Sequence, residues 1–238
     1  MLPALCVALA TRLATDGVVR ENGVLPAALA AEVRAVALAA AAPGAPRQEV
    51  PLSLKSDAVA SAAAAVAASP VGAALEDLCG GDAPLFDLCA VVSAPGAPIQ
   101  PLHSDLGFDG AEAAPLYTCF VALQETPSAL GPTEFCLGSH TDAAAHSALR
   151  SQRGRLDDAV AFPLAVGAAV LFDPRIAHRG GPNSSERHRA FLSMTFANPR
   201  GSAPVIVPAP GDVLVSEGGI SADDGGVWTL RELGALRP

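Results

Sequence analysis

The sequence predicts a mainly β fold, a barrel or jelly roll with α-helices packed against it. Three observations carry that expectation. The first third is rich in alanine and leucine and has good helix propensity. After Leu85 the texture changes to short β-prone runs separated by Pro, Gly, Asn or Asp clusters. The length of 238 residues suits one sizeable core. A helical part followed by many short strands is the pattern of a β-barrel or jelly roll buttressed by helices.

Residues 2–14 and 26–42 are expected to be helical, with Pro26 in the first turn of the second helix. Between them, residues 16–24 read as a short strand bracketed by turn residues. Pro43-Gly44-Ala45-Pro46 stops the second helix. Residues 56–68 form a further alanine-rich helix, and 71–78 a short one that ends at Gly80-Gly81-Asp82. Strands are expected at 85–93, 99–105, 116–123, 133–137, 169–172 and 190–197, with a helix inserted at 143–150. Beyond Pro199 the chain is rich in Pro and Gly. Residues 205–207 and 213–215 read there as edge strands, and 228–236 as a closing helix. No internal repeat or long linker is visible. One domain over 1–238 is expected, with 1–84 as mostly helical support, 85–215 as the jelly-roll core and 216–238 as a C-terminal tail.

Half of the residues are hydrophobic, much of that alanine, and there is one Trp and one Tyr, so the core must rest on Val, Leu, Ile and Phe. The net charge of −9 and the lack of any Lys/Arg-rich run argue against a nucleic-acid partner, because phosphate binding needs concentrated positive charge. Five scattered cysteines (Cys6, Cys79, Cys89, Cys119, Cys136) contain no CxxC and make neither a disulfide framework nor a zinc site. Reduced thiols in an intracellular, cytoplasmic protein are the expectation. Residues 1–10 have the length of a signal h-region but no basic n-region, so secretion or organelle import ranks below it. No membrane span is expected: Arg12 and Asp16 end the first apolar run, and Glu32 and Arg34 break the second.

The chemistry centres on Gln100-Pro101-Leu102-His103-Ser104-Asp105. On an extended segment, His103 and Asp105 point the same way; on a helix they would diverge. A third ligand must come from elsewhere, and His178 is the candidate, placed after Asp173-Pro174 at the end of a strand entering the turn Arg179-Gly180-Gly181-Pro182-Asn183. Two His and one carboxylate on one face of Fe(II) leave the opposite face open, as non-haem iron oxygenases require. Arg189 follows the turn. If the chain reverses there as a hairpin, its guanidinium returns on the neighbouring strand, facing the interior, where a planar fork of donors suits a carboxylate. Phe191 and Ser193 share its face, and Arg187 is the rival arginine, better suited to the surface.

The run 100–105, then Gly131-Pro132-Thr133-Glu134-Phe135-Cys136-Leu137-Gly138-Ser139-His140, then His178 and Arg189, in that order, resembles the phytanoyl-CoA dioxygenase family of Fe(II)- and 2-oxoglutarate-dependent oxygenases. The resemblance covers roughly residues 85–199. Asp16-Gly17-Val18-Val19 followed by Gly23-Val24-Leu25-Pro26 is compatible with it. It implies a double-stranded β-helix with His103, Asp105 and His178 as catalytic iron ligands, and Arg189 holding the distal carboxylate of 2-oxoglutarate. O₂ would be consumed, succinate and CO₂ released, and ascorbate would serve as an accessory reductant. His140 is implied to be structural, while His146 and His188 are expected to face solvent. Two departures stand out. Gly180 occupies the position, two after the distal His, where some members carry a hydroxyl, so Ser193, Tyr117 or Thr118 is expected to supply the missing donor. Leu137 stands where many relatives have proline. Asp105 disfavours the variant in which a halide replaces the carboxylate. The reading is a hydroxylase of a small or lipid-like molecule. The alternative is a cupin-like protein that binds a metal or small ligand without turnover, for which an interior Arg189 has no use. Neither the substrate nor the oligomeric state is legible.

Overall fold

The computed structural model describes residues 4–107, 110–111, 113–151, 158–201 and 228–236. The strands expected at 205–207 and 213–215 lie outside them, as do Phe108 and Asp109. The helical expectations hold closely: α1 is Ala4–Asp16, α2 Ala27–Ala40, α3 Asp57–Ala67, α4 Pro70–Cys79, α5 Ala143–Ser151 and α6 Leu230–Ala235. Pro26 is the N-cap of α2 rather than inside its first turn. Ser69 starts α4, its hydroxyl accepting from the N–H groups of Val71 and Gly72 with Pro70 at the first position. Gly80, at φ +88°, ends it in a conformation L side chains avoid.

The strands are β1 (Val18–Glu21), β2 (Arg47–Pro51), β3 (Leu85–Ser93), β4 (Leu116–Ala122), β5 (Thr133–Phe135), β6 (Val160–Ala161), β7 (Ala169–Phe172), β8 (His178–Gly180) and β9 (Arg189–Ala197). They form a six-stranded sheet in the order β1-β7-β4-β9-β3-β2 and a three-stranded sheet in the order β6-β5-β8. Every pairing between them is antiparallel. This is the jelly-roll arrangement, with helices added to one face. Residues 1–84 are more than helical support, because β1 and β2 supply both edges of the large sheet.

Strand alternation divides the large sheet into two chemistries. On β9, Ala190, Leu192, Met194 and Phe196 join Tyr117, Cys119 and Val121 of β4 in the core beneath α2, α3, α4 and α6. The opposite face looks into the cleft between the sheets. Phe191, Ala122, Val170, Phe172 and Val18 pack there with Phe135 of the small sheet. Alternation places Arg189, Ser193 and Thr195 on the same side as Phe191. Free Cys79, Cys89, Cys119 and Cys136 are all buried. Among the described residues no single helix is long and apolar enough to cross a membrane; α3 and α4, bent at 68°, reach that length only together. Their apolar residues Val59, Val66, Val71 and Leu75 are packed in the core.

Candidate active site

Residues 99–105 are extended but do not form a regular strand. They join the small sheet through one isolated bridge, in which His103 and His178 exchange N–H···O bonds of 3.0 and 2.8 Å. Pro101 lacks the N–H a longer ladder would need. The predicted geometry survives without the strand. Ser104 turns away and donates to Leu106 O at 3.0 Å, while His103 and Asp105 point the other way. His178 does not end a strand as expected; it opens β8, after the turn at 173–177. Ligand atoms of His103, Asp105 and His178 lie within 4.8 Å of one another. Asp105 Oδ1 is 3.6 Å from His103 Nε2, and its Oδ2 is 3.7 Å from His178 Nε2.

Both imidazoles are locked the same way. His103 Nδ1 is 2.9 Å from Pro101 O and His178 Nδ1 is 3.0 Å from Ile176 O. A carbonyl only accepts, so each Nδ1 carries a proton, and each ring presents its Nε2 to Asp105. Burial, with His178 adding to it, pulls His103 down to about 4, which keeps the ring neutral and able to ligate a cation. The rings of Phe135 and Phe172 stand 5.7 and 5.4 Å from His178 and wall that side with carbon. Asp105 is the outward member, its side chain 41 % exposed against 7 % and 6 % for the two histidines.

Backbone staples hold the three ligands together. Asp105 and Leu106 both donate to Pro174 O. Asp173 accepts from the Nε and Nη2 of Arg175 in a buried pair, and Arg175 Nη1 donates to Ala111 O at 2.6 Å. The Gly138-Ser139-His140 stretch also ties elements together. Ser139 Oγ donates to Cys136 O at 2.7 Å and accepts from Ala177 N at 2.8 Å, one residue before His178. His140 Nε2 donates to Ala14 O, and a Cβ on Gly17 would lie 2.5 Å from His140 Nδ1. His140 thus docks the small sheet on α1 and β1. Ser139→Ala should cost about 1–3 kcal/mol in urea denaturation, since it strands a buried N–H; an unchanged midpoint would remove Ser139 from this role.

Arg189 opens β9 on the large sheet, whereas β8 belongs to the small one, so the two strands are not the expected hairpin. The chain crosses the cleft instead. Buried Asn183 pins the crossing, donating to Ser93 O, Ala94 O and Arg187 O and accepting from Ser185. Arg189 is 1 % exposed; its Nη1 donates to Gly131 O and its Nη2 to Ser93 Oγ at 2.8 Å. Gly131 provides that carbonyl from the left-handed region at φ +68°, packed against the carbonyls of Gly181 and Pro182 where a Cβ has no room. The Nε of Arg189 is buried with no partner. Burial, reinforced by Arg47, pulls this guanidinium down to about 9.

The other expected donors are placed elsewhere. Tyr117 falls on the helix side of β4, one residue out of phase with the cleft. Thr118 faces the cleft but bonds Thr195 Oγ1 at 3.0 Å, in a row six residues along β9 from Arg189, on the order of 20 Å away. Ser193 is hydrogen-bonded with Cys89, and Phe191 intervenes between it and Arg189, with its ring centroid 5.0 Å from the guanidinium carbon. The hydroxyl on Arg189 is Ser93, a residue the sequence did not single out as polar chemistry. Arg187 and His188 are exposed, as expected; His146 is buried, against expectation. A hollow lined by Arg34, Gln124, Arg187 and His188 takes in none of His103, Asp105, His178 and Arg189.

A family model described as phytanoyl-CoA dioxygenase matches residues 15–191. No curated protein sequence matches the chain. Among solved structures, the non-heme α-ketoglutarate-dependent epimerase SnoN from nogalamycin biosynthesis aligns at a TM-score of 0.69 and 24 % identity, covering 96 % of this chain and 99 % of its own. SnoN is also known in complex with Fe3+, α-ketoglutarate and nogalamycin RO. HygX from Streptomyces hygroscopicus, with nickel and 2-oxoglutarate bound, aligns at 0.66 and 16 % identity, covering 88 % and 98 %. The carbocyclase SnoK aligns at 0.64 and 17 %, covering 88 % and 93 %.

Proposed function

Because the chain belongs to the phytanoyl-CoA dioxygenase family, we propose that it is an Fe(II)- and 2-oxoglutarate-dependent oxygenase that hydroxylates a small organic substrate, with release of succinate and CO₂. The observation that carries this reading is Arg189, a guanidinium buried at 1 % exposure with an unpartnered Nε. A buried cation without a counter-charge is costly, and an arriving carboxylate relieves it. A jelly roll that only bound metal would have no need of it.

The donor set, two imidazole Nε2 atoms and one carboxylate, fits iron. His103, Asp105 and His178 are the proposed ligands, and Arg189 the partner of the distal carboxylate of 2-oxoglutarate. Bound together, iron and 2-oxoglutarate supply the oxidising power for O₂ chemistry. The protein's residues do the rest. The carbonyls of Pro101 and Ile176 fix the tautomers, Phe135 and Phe172 exclude water beside His178, and Arg189 sets the direction in which the cosubstrate enters. SnoN and SnoK carry an epimerase and a carbocyclase on this scaffold, so the fold leaves the outcome on the substrate open.

Anaerobic addition of Fe(II) and then 2-oxoglutarate should produce a weak visible charge-transfer band. Folded protein that shows no band would sink the assignment. A succinate-release screen over candidate substrates, read by mass spectrometry, then separates hydroxylation (gain of one oxygen atom) from rearrangement without oxygen gain.

A further inference from the structure

The turn at 94–98 folds the chain back on itself. β3 runs from Leu85 to Ser93, and the extended segment that carries His103 and Asp105 returns in the small sheet across the cleft. The two are tied together at the turn: Ser93 pairs with Arg47 and Arg189, and Arg47 Nη2 donates to Pro98 O at 3.3 Å. Asp87 lies six residues before Ser93 and Asp105 seven after Pro98. Each therefore stands about 20 Å from the turn, at the same end of the cleft and on opposite sheets. Leu85 packs in the core beneath the helices, and a register shift between it and Asp87 puts Asp87 on the other face, beside Cys89. There Asp87 pairs with Thr195, Thr195 with Thr118, and Thr118 with Phe172, whose ring is 5.4 Å from His178. One row across four strands thus leads from Asp87 to a metal ligand.

Asp87 is half-buried, and its partners are the Cys89 thiol and the Leu88 N–H; Cys89 in turn accepts from Ser193. A carboxylate has roughly four acceptor positions, so about half of them are open. Burial pushes this carboxyl up, and its two donors do not offset that, so further donors would stabilise the charged form. Thr118 and Thr195 share one hydrogen bond of 3.0 Å, which uses only one of their two hydroxyl hydrogens. Next to this polar row the sheet presents carbon: Phe120 stands 5.0 Å from Phe172 and stacks on Phe191 at 5.8 Å. We propose that Asp87, with Thr195 and Thr118 beside it, is the substrate-binding residue of the large sheet, and that the substrate carries a polyol or sugar-like ring with neighbouring hydroxyls donating to Asp87. This rests on the oxygenase reading above and names its substrate class. The two oxygens of a carboxylate match the two hydroxyls of a vicinal diol, and the phenylalanine faces match the C–H face of such a ring. A purely lipid-like substrate would leave Asp87 buried against carbon.

The test uses full-length protein loaded with Mn(II), whose unpaired electrons speed the proton relaxation of any small molecule bound beside it. The probes are myo-inositol and the methyl glycosides of glucose, mannose and galactose, which between them present cis and trans diols. Their per-O-methylated forms and cyclohexylamine are the comparisons. The hydroxylated probes should show enhanced relaxation and the others none. Asp87→Ala should weaken their binding by about 10- to 100-fold, with Mn(II) and 2-oxoglutarate affinities unchanged and a urea midpoint no lower than the parent's. Asp87→Asn, which keeps an acceptor oxygen, should retain part of the binding, and Thr195→Val should lose a few-fold; both serve if the alanine variant is unstable. No enhancement with any hydroxylated probe, or equal enhancement with the methylated forms, would overturn the proposal. Equal enhancement with cyclohexylamine would mean that the carboxylate reads charge rather than hydroxyls, and the proposal falls. A lowered midpoint with unchanged probe binding would make Asp87 a structural residue. Relaxation measured with Mn(II) alone tests Asp87 by itself, whereas failure of the Mn(II) protein to bind 2-oxoglutarate would overturn the cosubstrate reading.

Discussion

Arg189→Met is expected to cost 2-oxoglutarate about 2–5 kcal/mol of binding, roughly 30-fold to several thousand-fold, while metal affinity stays within a few-fold. The carboxylate would lose its buried charged partner, whereas no metal ligand touches the substituted side chain. The effect on the apoprotein runs the other way. A base whose folded pKa is depressed costs stability at every pH below that value, and the cost fades only between about 9 and the ordinary arginine range. At neutral pH the unpaired charge is therefore a burden, and the apolar isostere removes it. The Ser93 hydroxyl and the Gly131 carbonyl lose donors in exchange, so the urea midpoint of apo Arg189→Met should equal or exceed the parent's. Calorimetric titration and urea denaturation on the same preparation read both effects. If Arg187→Ala weakens 2-oxoglutarate and Arg189→Met does not, the carboxylate lies on the exposed side of the crossing and the pocket has been misplaced.

Asp105→Ala should lower Fe(II) affinity by at least ~100-fold, beyond the 10–100-fold typical of losing an outer-shell partner, and abolish succinate formation. Asp105 is the only anion in the set, so its loss removes charge as well as a ligand atom. Folding should be nearly unaffected. The bonds that position this residue run through its main chain, from its own N–H and that of Leu106 to Pro174 O, and survive truncation of the side chain. Anaerobic metal titration checks the first half and succinate assay the second. Retained turnover would mean that another carboxylate completes the site.

Much of this site was legible in the sequence because its signals are local. His-x-Asp on an extended segment fixes two ligands by alternation alone, and that survives the loss of the expected strand: one bridge to His178 keeps the backbone extended. Long alternating runs such as β3 and β9 were visible for the same reason. The three-residue β8 and two-residue β6 carry too few side chains for any period. Strand β2 was invisible for a different reason. Arg47-Gln48-Glu49-Val50-Pro51 follows a Pro-Gly turn and ends in proline, so it reads as loop. Its place at the sheet edge depends on pairing with β3, which no window along the chain contains. Tyr117 and Thr118 show the limit of proximity arguments, since adjacent residues on one strand cannot both face the cleft. The hairpin expected between His178 and Arg189 failed because turn chemistry reveals that a chain reverses, not which sheet receives it.

The order of strands in the large sheet also dictates when the protein can fold. Its edges, β1 and β2, are synthesised first, and its inner strands β7 and β9 come late, with β9 between β4 and β3. Val18 must wait for Phe172, and Arg47 waits for a row completed only when Arg189 arrives. During synthesis the alanine-rich helices can form locally, but the apolar faces they share with β9 have nothing to cover until residue 197 has left the ribosome. Two exposed strand edges and a half-built core persist through that interval. Assembly of the large sheet thus waits for β9, and a nascent chain stopped before it would hold His103, Asp105 and His178 but lack the strand that joins β4 to β3 and carries Arg189.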